Sequence, residues 1–266
     1  MNSDKRGIQS VEVGGQLLRA LVDCGEPMML RDLASSAGMP SAKAHPYLVS
    51  FARLGLVKQD KASGRYELGP LALQMGLVSL HRLDPVRMAT DAIVELAVRI
   101  GHTASLSVWG NHGPTVVRIE ESSGAVHVNM RVGSVMSLLG TATGRVFAAF
   151  LPAKMIEKFI EDGVGRASVG DEAAKHMTRK QIEVALAEVR QRGLSRAVGR
   201  PIPGVNAFSA PVFDHSGSIA LVITAIGPVG TFDADWDSPI AKGLLDCAAK
   251  ISDRLGFSSK APHKAA

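Results

Sequence analysis

Only two cysteines, Cys24 and Cys247, occur in the chain, and they stand far apart in the sequence. Such a pair provides neither a disulfide framework nor the close spacing of a zinc site, so we expect no metal, no cofactor and a reducing, cytoplasmic environment. No apolar run approaches the ~20 residues that a membrane helix needs, and the opening segment MNSDKRG lacks the apolar stretch of a signal peptide. A membrane partner is therefore not expected.

Aromatic residues are also scarce. They make up 5% of the chain, against 46% hydrophobic and 21% charged residues. This composition argues against an aromatic-lined sugar or RNA platform and against a charged, disordered chain. A length of 266 residues is enough for two modest domains.

Basic charge is concentrated in one segment. The whole chain carries a net charge of +5. Residues 41–66 hold a single acid, Asp60, and five of the cations, which are Lys43, Arg53, Lys58, Lys61 and Arg65. A focal basic segment favours a polyanionic partner more strongly than the modest overall charge does. We therefore expect this segment to meet nucleic acid.

Three short helices and a hairpin are predicted for residues 1–69, the first domain. Apolar residues recur at helical spacing in three segments, 10–24 with Ser10 as the N-cap, 30–37 and 41–54. Gly14 and Gly15 weaken the first helix, so a close packing contact is expected there. Two short extended runs, LGLVKQD and GRYELG, flank a turn at 61–64 and predict the hairpin.

Three helices followed by a basic hairpin are the parts of a winged helix-turn-helix, whose third helix enters the major groove of DNA. The start of that helix meets base edges, and the hairpin, or wing, meets phosphates or the minor groove. The predicted DNA-binding residues are Ser41, Ala42, Lys43 and His45 at the helix start, Tyr47 and Ser50 further along it, and Lys58, Lys61 and Arg65 on the wing. The alternative is a three-helix domain with an ordinary solvated basic face. The order of the elements favours double-stranded operator DNA as the partner.

A linker helix at 70–84 and a second domain at 85–257 are predicted next. The linker is apolar on more than one face, which suits a helix that also packs against a second subunit. Helices are predicted at 85–100, 141–150, a segment ending at 161, 178–193 and 238–255, strands at 104–109, 115–121, 125–132, 205–213 and 219–226, and a loop at 163–175. The tail at 258–266 is predicted to be disordered.

The candidate ligand site is the segment 135–145, where an apolar loop runs into a helix of small residues. A helix N-terminus attracts anions, and small residues let a ligand approach its backbone N–H groups. The spacing of a phosphate loop is absent, so a nucleotide is not expected. The alternative is close helix–sheet packing through Gly140, Ala142 and Gly144.

Four segments in order resemble the IclR family of bacterial regulators. They are GMPSAKAHPYLVSFARLGLVKQD, GRYELGPLALQMG, LLGTATGRVFAAFLP and PGVNAFSAPVFDHSGSIALVITAIGP, and the similarity covers about Ile8–Phe257. The resemblance implies an α+β fold, in which a winged helix-turn-helix and a linker helix precede a GAF-like α/β effector-binding domain. It also implies homodimers that pair into homotetramers. One departure is Pro46, where the family usually has an arginine; Lys43, where it usually has a threonine, is expected to supply the charge instead.

The same resemblance implies the effector-binding residues. Effectors of related regulators lie between this helix start, the preceding loop and the late strands. The corresponding residues are Leu138, Ala142, Thr143, Ala207, Thr224 and Ile226, with Val128, Met130 and Leu139 completing the wall. Because most of these side chains are apolar, we expect an aromatic or short aliphatic carboxylic acid, with its carboxylate at the helix start beside Thr141 and Thr143. Arg131, Arg145 and Arg200 are candidate partners for that carboxylate. The alternative for each of them is an ordinary surface residue.

Catalytic residues are not predicted. None of His102, His112, His127, His176 and His215 has metal-ligand spacing. Asp214, His215 and Ser216 carry the letters of a catalytic triad, but neighbours in a tight turn cannot point at one another. A small-molecule enzyme with an N-terminal winged helix remains the alternative function. A purely architectural DNA binder would leave the large second domain unexplained.

Overall fold

The computed structural model of the chain describes residues 7–122, 130–161 and 178–258. The chain divides into two compact units, with the division between Leu83 and Asp84. The predicted loop at 163–175 lies outside the described residues, as does the predicted disordered tail from residue 259 onward. Within the described ranges, no helix combines the length and the apolar character that crossing a membrane requires.

The first unit contains the predicted winged helix-turn-helix. Its helices are α1 (Gln9–Cys24), α2 (Leu30–Ser36) and α3 (Ser41–Leu54), and its wing is the antiparallel pair β1 (Val57–Gln59) and β2 (Tyr66–Leu68). Glycines in the left-handed conformation, Gly25 and Gly55, end α1 and α3. The prediction of Ser10 as an N-cap is wrong, because Ser10 already lies inside α1 and Ile8 occupies the cap position.

Packing between α1 and α3 fixes the position of the third helix. The completely buried side chains at the centre of this unit include Leu17, Leu33 and Leu48. A Cβ at Gly14 would lie 2.9 Å from ring atoms of both Tyr47 and Phe51. The expected close contact is therefore confirmed at Gly14, whereas Gly15 faces open space.

The helix after the wing, α4 (Pro70–His81), leaves its apolar side chains uncovered. None of its residues is buried. Five large hydrophobic side chains are between 42% and 65% exposed, namely Leu73, Met75, Leu77, Val78 and Leu80. The prediction of an apolar surface on more than one side of this helix is confirmed.

The second unit is an antiparallel sheet with helices packed on it, so the α+β prediction is confirmed. The helices are α5 (Pro85–Ile100), α6 (Ala142–Phe150), α7 (Ala153–Glu161), α8 (Arg179–Arg192) and α9 (Pro239–Arg254). The strands are β3 (Thr103–Gly110), β4 (Gly113–Glu120), β5 (Ser195–Val198), β6 (Val205–Phe213) and β7 (Ile219–Pro228). Their order across the sheet is β4-β3-β7-β6-β5, and every neighbouring pair is antiparallel.

The strand predictions for the second unit need two corrections. Of the strand predicted at 125–132, residues 125–129 lie outside the described part, and Met130–Val132 form no strand. The edge strand β5 was not predicted at all. It has only four residues and is separated from α8 by two residues, so its sequence shows too little alternation to reveal it.

The register of the sheet determines which residues of β5, β6 and β7 lie on the face that α6 covers. Ser195, Ser209 and Thr224 lie directly opposite one another on β5, β6 and β7. Directly paired residues of an antiparallel sheet share a face. Two residues further along, Ala197, Ala207 and Ile226 form a second row on that face. Helix α6 lies over both rows, and its Phe147 packs into a buried cluster with Val222 of β7.

Candidate functional site

The start of α3 is open to solvent. Ala42, Lys43 and His45 are exposed, and Ser41 is half-buried. Pro40 occupies the N-cap and makes no side-chain capping bond. The amides of Lys43 and Ala44 both donate to the Pro40 carbonyl. Among the described residues, the Lys43 ammonium has neither an ion pair nor a hydrogen bond, so it is available to an outside partner.

Two residues further along α3, Tyr47 and Ser50, were predicted to reach the DNA backbone, and both make contacts within the protein. Tyr47 is half-buried and packs on α1 beside Gly14. The Ser50 hydroxyl donates to the Pro46 carbonyl at 3.0 Å. Helix α3 runs without a break through Pro46, but proline has no N–H, so the Ala42 carbonyl receives no hydrogen bond from residue i+4.

The three predicted cations of the wing differ in their partners. Lys58 forms an ion pair with Glu67 on the facing strand at 3.2 Å. The Arg65 guanidinium donates to the Pro27 carbonyl at 3.0 Å. Lys61 is exposed and has no such partner within the described ranges. Sequence position places all three on the wing, but tertiary contacts leave Lys61 the most accessible.

The second site is a small cavity of about 30 Å³ between α6 and the late strands, and it is partly open to solvent. Seven predicted effector residues line it, namely Met130, Thr141, Ala142, Thr143, Ala207, Thr224 and Ile226. Lining residues that were not predicted as effector residues are Met136, Ala197, Pro201, Ile202 and Val205. Leu138 lies elsewhere, in the buried cluster around Phe147, and Leu139 packs against the same cluster. Val128 lies outside the described residues.

Thr141 caps the start of α6 at the edge of this cavity. Its Oγ1 accepts from the Gly144 amide at 3.0 Å and donates to the Ser137 carbonyl at 2.8 Å. A Cβ at Gly144 would overlap the carbonyl oxygens of Ser137 and Leu138. Gly144 therefore allows α6 to pack closely on the loop before it. The helix–sheet packing of the alternative interpretation is found at Ala142, which packs with Ala197, Ala207 and Ile226 of the sheet. The amides of Ala142 and Thr143 are left without an acceptor among the described residues.

Three buried hydroxyl groups meet at the wall of the cavity. Thr143 Oγ1 lies 2.9 Å from Thr224 Oγ1 and 3.3 Å from Ser209 Oγ. Ser209 Oγ lies 2.8 Å from Thr224 Oγ1, which closes a triangle. Thr143 and Thr224 line the cavity, and Ser209 lies behind them. We call this group the hydroxyl triangle.

The three candidate arginines occupy different places. Arg200 is exposed, and it lines the cavity. Arg131 is exposed and is not among the lining residues. Arg145 is not a surface residue: its guanidinium donates to the carbonyls of Leu139 at 3.1 Å and Arg196 at 2.8 Å. Burial lowers the pKa of Arg145, while Glu188 acts in the opposite direction. Arg145 thus ties the loop before α6 to β5, and Arg200 is the cation at the cavity.

Groups that could suggest catalysis are structural where they are described. The Asp214 carboxylate accepts from the Ser216 and Ser218 amides, which confirms the predicted turn. Cys247 is buried, and desolvation raises the pKa of its thiol to about 11. No three His, Cys, Asp or Glu side chains of the described residues lie where they could share a metal ion.

Two family models match the chain. A model described as the IclR helix-turn-helix domain matches residues 10–61, and one described as the C-terminal part of the bacterial transcriptional regulator IclR matches residues 77–253. The glycerol operon regulatory protein of Streptomyces griseus is 30% identical over 256 residues, covering 94% of this chain and 98% of that protein. The transcriptional regulator KipR of Bacillus subtilis is 26% identical over 235 residues, covering 87% of this chain and 91% of KipR.

Solved structures with the same fold cover both units. The crystal structure of Pseudomonas aeruginosa HmgR is similar with a TM-score of 0.85 at 38% identity, covering 95% of this chain and 100% of HmgR. The repressor BlcR of Agrobacterium tumefaciens has a TM-score of 0.76 at 20% identity, covering 96% of this chain and 100% of BlcR. The similarity to BlcR concerns the fold alone.

Proposed function

Because the chain belongs to the IclR family of bacterial transcriptional regulators, we propose that a small carboxylic acid in the α6 cavity controls its binding to operator DNA. The chain is a transcriptional regulator and not an enzyme, so the alternative of an enzyme with a winged-helix module is set aside. The observation that carries the proposal is the cavity itself, which lies at a helix start and is lined by seven of the residues expected to bind an effector.

DNA binding is assigned to the start of α3 and to the wing. Lys43 and Lys61 are the accessible cations, with Ser41, Ala42 and His45 beside Lys43. Cations at these places meet phosphates or guanine edges in the major groove. Lys58 and Arg65 join the interface by exchanging their present partners for phosphate. Tyr47 holds α3 in position by packing beside Gly14 of α1. Ser50 is exposed and bonds only within α3, so it stays a candidate for contact with the DNA backbone.

An acid of the expected class suits the cavity on two counts. Ala207, Ile226 and Met130 give it apolar walls for an aromatic or short aliphatic body. The free amides of Ala142 and Thr143 attract a carboxylate to the helix start, and Arg200 adds a cation at the lining. Differential binding of the acid to two arrangements of the protein then shifts its DNA affinity.

Two copies of the chain, or a dimer of dimers, are proposed as the functional assembly. The uncovered apolar side chains of α4 support this, since a second copy of the helix would bury them. Residues 1–69 would bind DNA, 70–84 would link the two domains, and 85–257 would bind the effector. Paired recognition helices would read half-sites about 34–36 Å apart or at multiples of that spacing.

Selection from random double-stranded DNA with the purified full-length chain tests the first half of this proposal. Enrichment of a sequence with two related half-sites is expected. Calorimetric titration with benzoate, phenylacetate and butyrate then tests the second half, followed by operator binding with and without the acid that binds. Failure to enrich any sequence would contradict DNA recognition. Absence of heat for all acids, or unchanged operator affinity, would contradict control by a carboxylate. Thr143→Val is expected to weaken binding of the acid.

A further inference from the structure

We propose that Pro46, together with Ala42, recognises a thymine in each operator half-site by apolar contact with the C5-methyl group of that base. The inference rests on the proposed binding of operator DNA by α3 and adds a base preference to it. Pro46 is exposed and lies inside α3, between His45 and Tyr47. It is not one of the residues that the sequence predicts to bind DNA.

The buried residues of α3 show which way Pro46 faces. Ala44 and Leu48 are completely buried in the core of the first unit. Pro46 follows Ala44 by two residues and precedes Leu48 by two, so at 3.6 residues per turn it lies about 160° from both around the helix axis. The pyrrolidine ring therefore stands at the centre of the face that α3 turns away from its own domain.

Ala42 continues this outward face one turn earlier. It is exposed, and it precedes Pro46 by four residues, which is the spacing of neighbours on a helix surface. Lys43 lies on one side of the pair and His45 on the other, and both are exposed. The outward face thus has an apolar centre, made of a methyl group and a pyrrolidine ring, between two groups that can meet phosphate or base edges.

Pro46 has no group with which to form a hydrogen bond to a base. Its ring contains no polar atom beyond the backbone nitrogen, which carries no proton. Its carbonyl accepts the Ser50 hydroxyl at 3.0 Å. In the major groove, the C5-methyl group of thymine is the base feature that is recognised by apolar contact. Contact between that methyl group and the ring removes apolar surface of both from water, so the ring favours thymine.

Proline also changes the backbone of α3. Because Pro46 has no N–H, the Ala42 carbonyl receives no hydrogen bond from residue i+4. Replacement of Pro46 by alanine or by valine restores the N–H in both cases, and the two variants differ in the apolar size of the side chain. Pro46→Ala and Pro46→Val are therefore a matched pair, which separates the contact made by the ring from the backbone effect.

The operator that the full-length chain selects from random DNA provides the test. Each thymine of a half-site is replaced in turn by uracil, which lacks only the methyl group, and affinity is measured by fluorescence anisotropy. At one of these thymines we expect binding to become about fourfold weaker, because one methyl group loses its apolar contact. The same replacement in both half-sites is expected to multiply the two effects.

The variants assign this methyl effect to the ring. Pro46→Val keeps an apolar side chain and should keep the effect, whereas in Pro46→Ala the effect should fall below about twofold. Neither variant should change the slope of log affinity against log salt, because Pro46 carries no charge, whereas Lys43→Ala should lower it. Both variants regain a helix hydrogen bond, so chemical denaturation should show them to be at least as stable as the wild type.

The outcomes separate this inference from the proposed function. A selected half-site without thymine, or a methyl effect that is absent at every thymine, overturns the recognition by Pro46 and leaves operator binding by α3 standing. A methyl effect that Pro46→Ala leaves intact does the same. Loss of the effect in both variants assigns it to the backbone and overturns the contact with the ring. Failure to select any sequence overturns operator recognition and this inference together.

Discussion

Helices α3 and α6 each begin with two backbone amides that have no acceptor among the described residues, but their surroundings differ. At α3 these are the amides of Ser41 and Ala42, since the next two donate to Pro40. At α6 they are the amides of Ala142 and Thr143, since Thr141 receives the next two. The α3 start is largely exposed and has no side-chain cap, whereas the α6 start is buried and capped.

The charge beside each start determines which anion suits it. Lys43 lies in the first turn of α3, so a phosphate there meets a full positive charge as well as the helix dipole. The corresponding cation of α6, Arg145, is already bound to two carbonyls. The exposed start suits a polyanion, whose binding weakens steeply with salt. The buried start suits one small anion, whose binding depends on shape and desolvation and is screened far less.

The largest expected effect comes from a substitution that disturbs the buried N-terminus of α6. Gly144→Ala places a Cβ against the backbone oxygens of Ser137 and Leu138, so the loop before α6 must move. We expect a loss of about 1–3 kcal/mol in the free energy of unfolding and binding of the acid about 10–100-fold weaker. Gly15→Ala, where a Cβ meets open space, is the control and should stabilise α1 by about 0.5–1 kcal/mol. Chemical denaturation and calorimetry measure both. Unchanged ligand affinity in Gly144→Ala would argue against the cavity.

A smaller effect is expected at the exposed start. Lys43→Ala should weaken operator binding about tenfold and lower the slope of log affinity against log salt by about one, with ligand affinity unchanged. Lys58→Ala is the matched comparison, because Lys58 is already paired with Glu67, so a phosphate must compete with that carboxylate for it. Its effect should be smaller than that of Lys43→Ala in a fluorescence anisotropy titration at several salt concentrations. Equal losses would mean that the ion pair of the wing opens without penalty.

The N-termini of α3 and α6 also show how much of each site could be predicted from the sequence. Both were located from local signals, namely Pro40 before a helical repeat and Thr141 before a run of small residues. Local signals could not show that Arg65 binds Pro27, that Tyr47 packs on Gly14 or that Arg145 holds Arg196, because each partner is distant in the sequence. Nor could they place Ala197 in the cavity, since β5 is too short to be seen. Sequence position identified candidate residues, and tertiary contacts decided which are available.

Replacing Thr141, the N-cap of α6, tests the difference between the N-termini of α3 and α6 directly. Thr141→Ala removes the acceptor for the Gly144 amide and should cost about 1 kcal/mol of unfolding free energy. Thr141→Ser keeps both bonds and should cost less. A thermal unfolding series distinguishes the two variants. If alanine and serine were equivalent, the cap would contribute nothing to holding the buried start in place.

The smallest effect is expected at the wing tip, where a carboxylate of the protein itself fills a comparable pair of amides. Asp60 Oδ1 accepts from the amides of Ala62 at 2.6 Å and Ser63 at 2.8 Å. The Ser63 bond, followed by the Ala62 bond, lowers the pKa of Asp60 below its ordinary value. Because the folded pKa is the lower one, the turn is held at neutral pH, and this contribution is lost as pH falls through that lowered value.

An NMR titration of the Asp60 carboxyl carbon should show the low midpoint, and the Ala62 and Ser63 amide shifts should follow it. In Asp60→Asn, which keeps an oxygen acceptor but does not titrate, those amide shifts should stay constant; a wild-type midpoint at the ordinary value would mean that the amides do not hold the carboxylate.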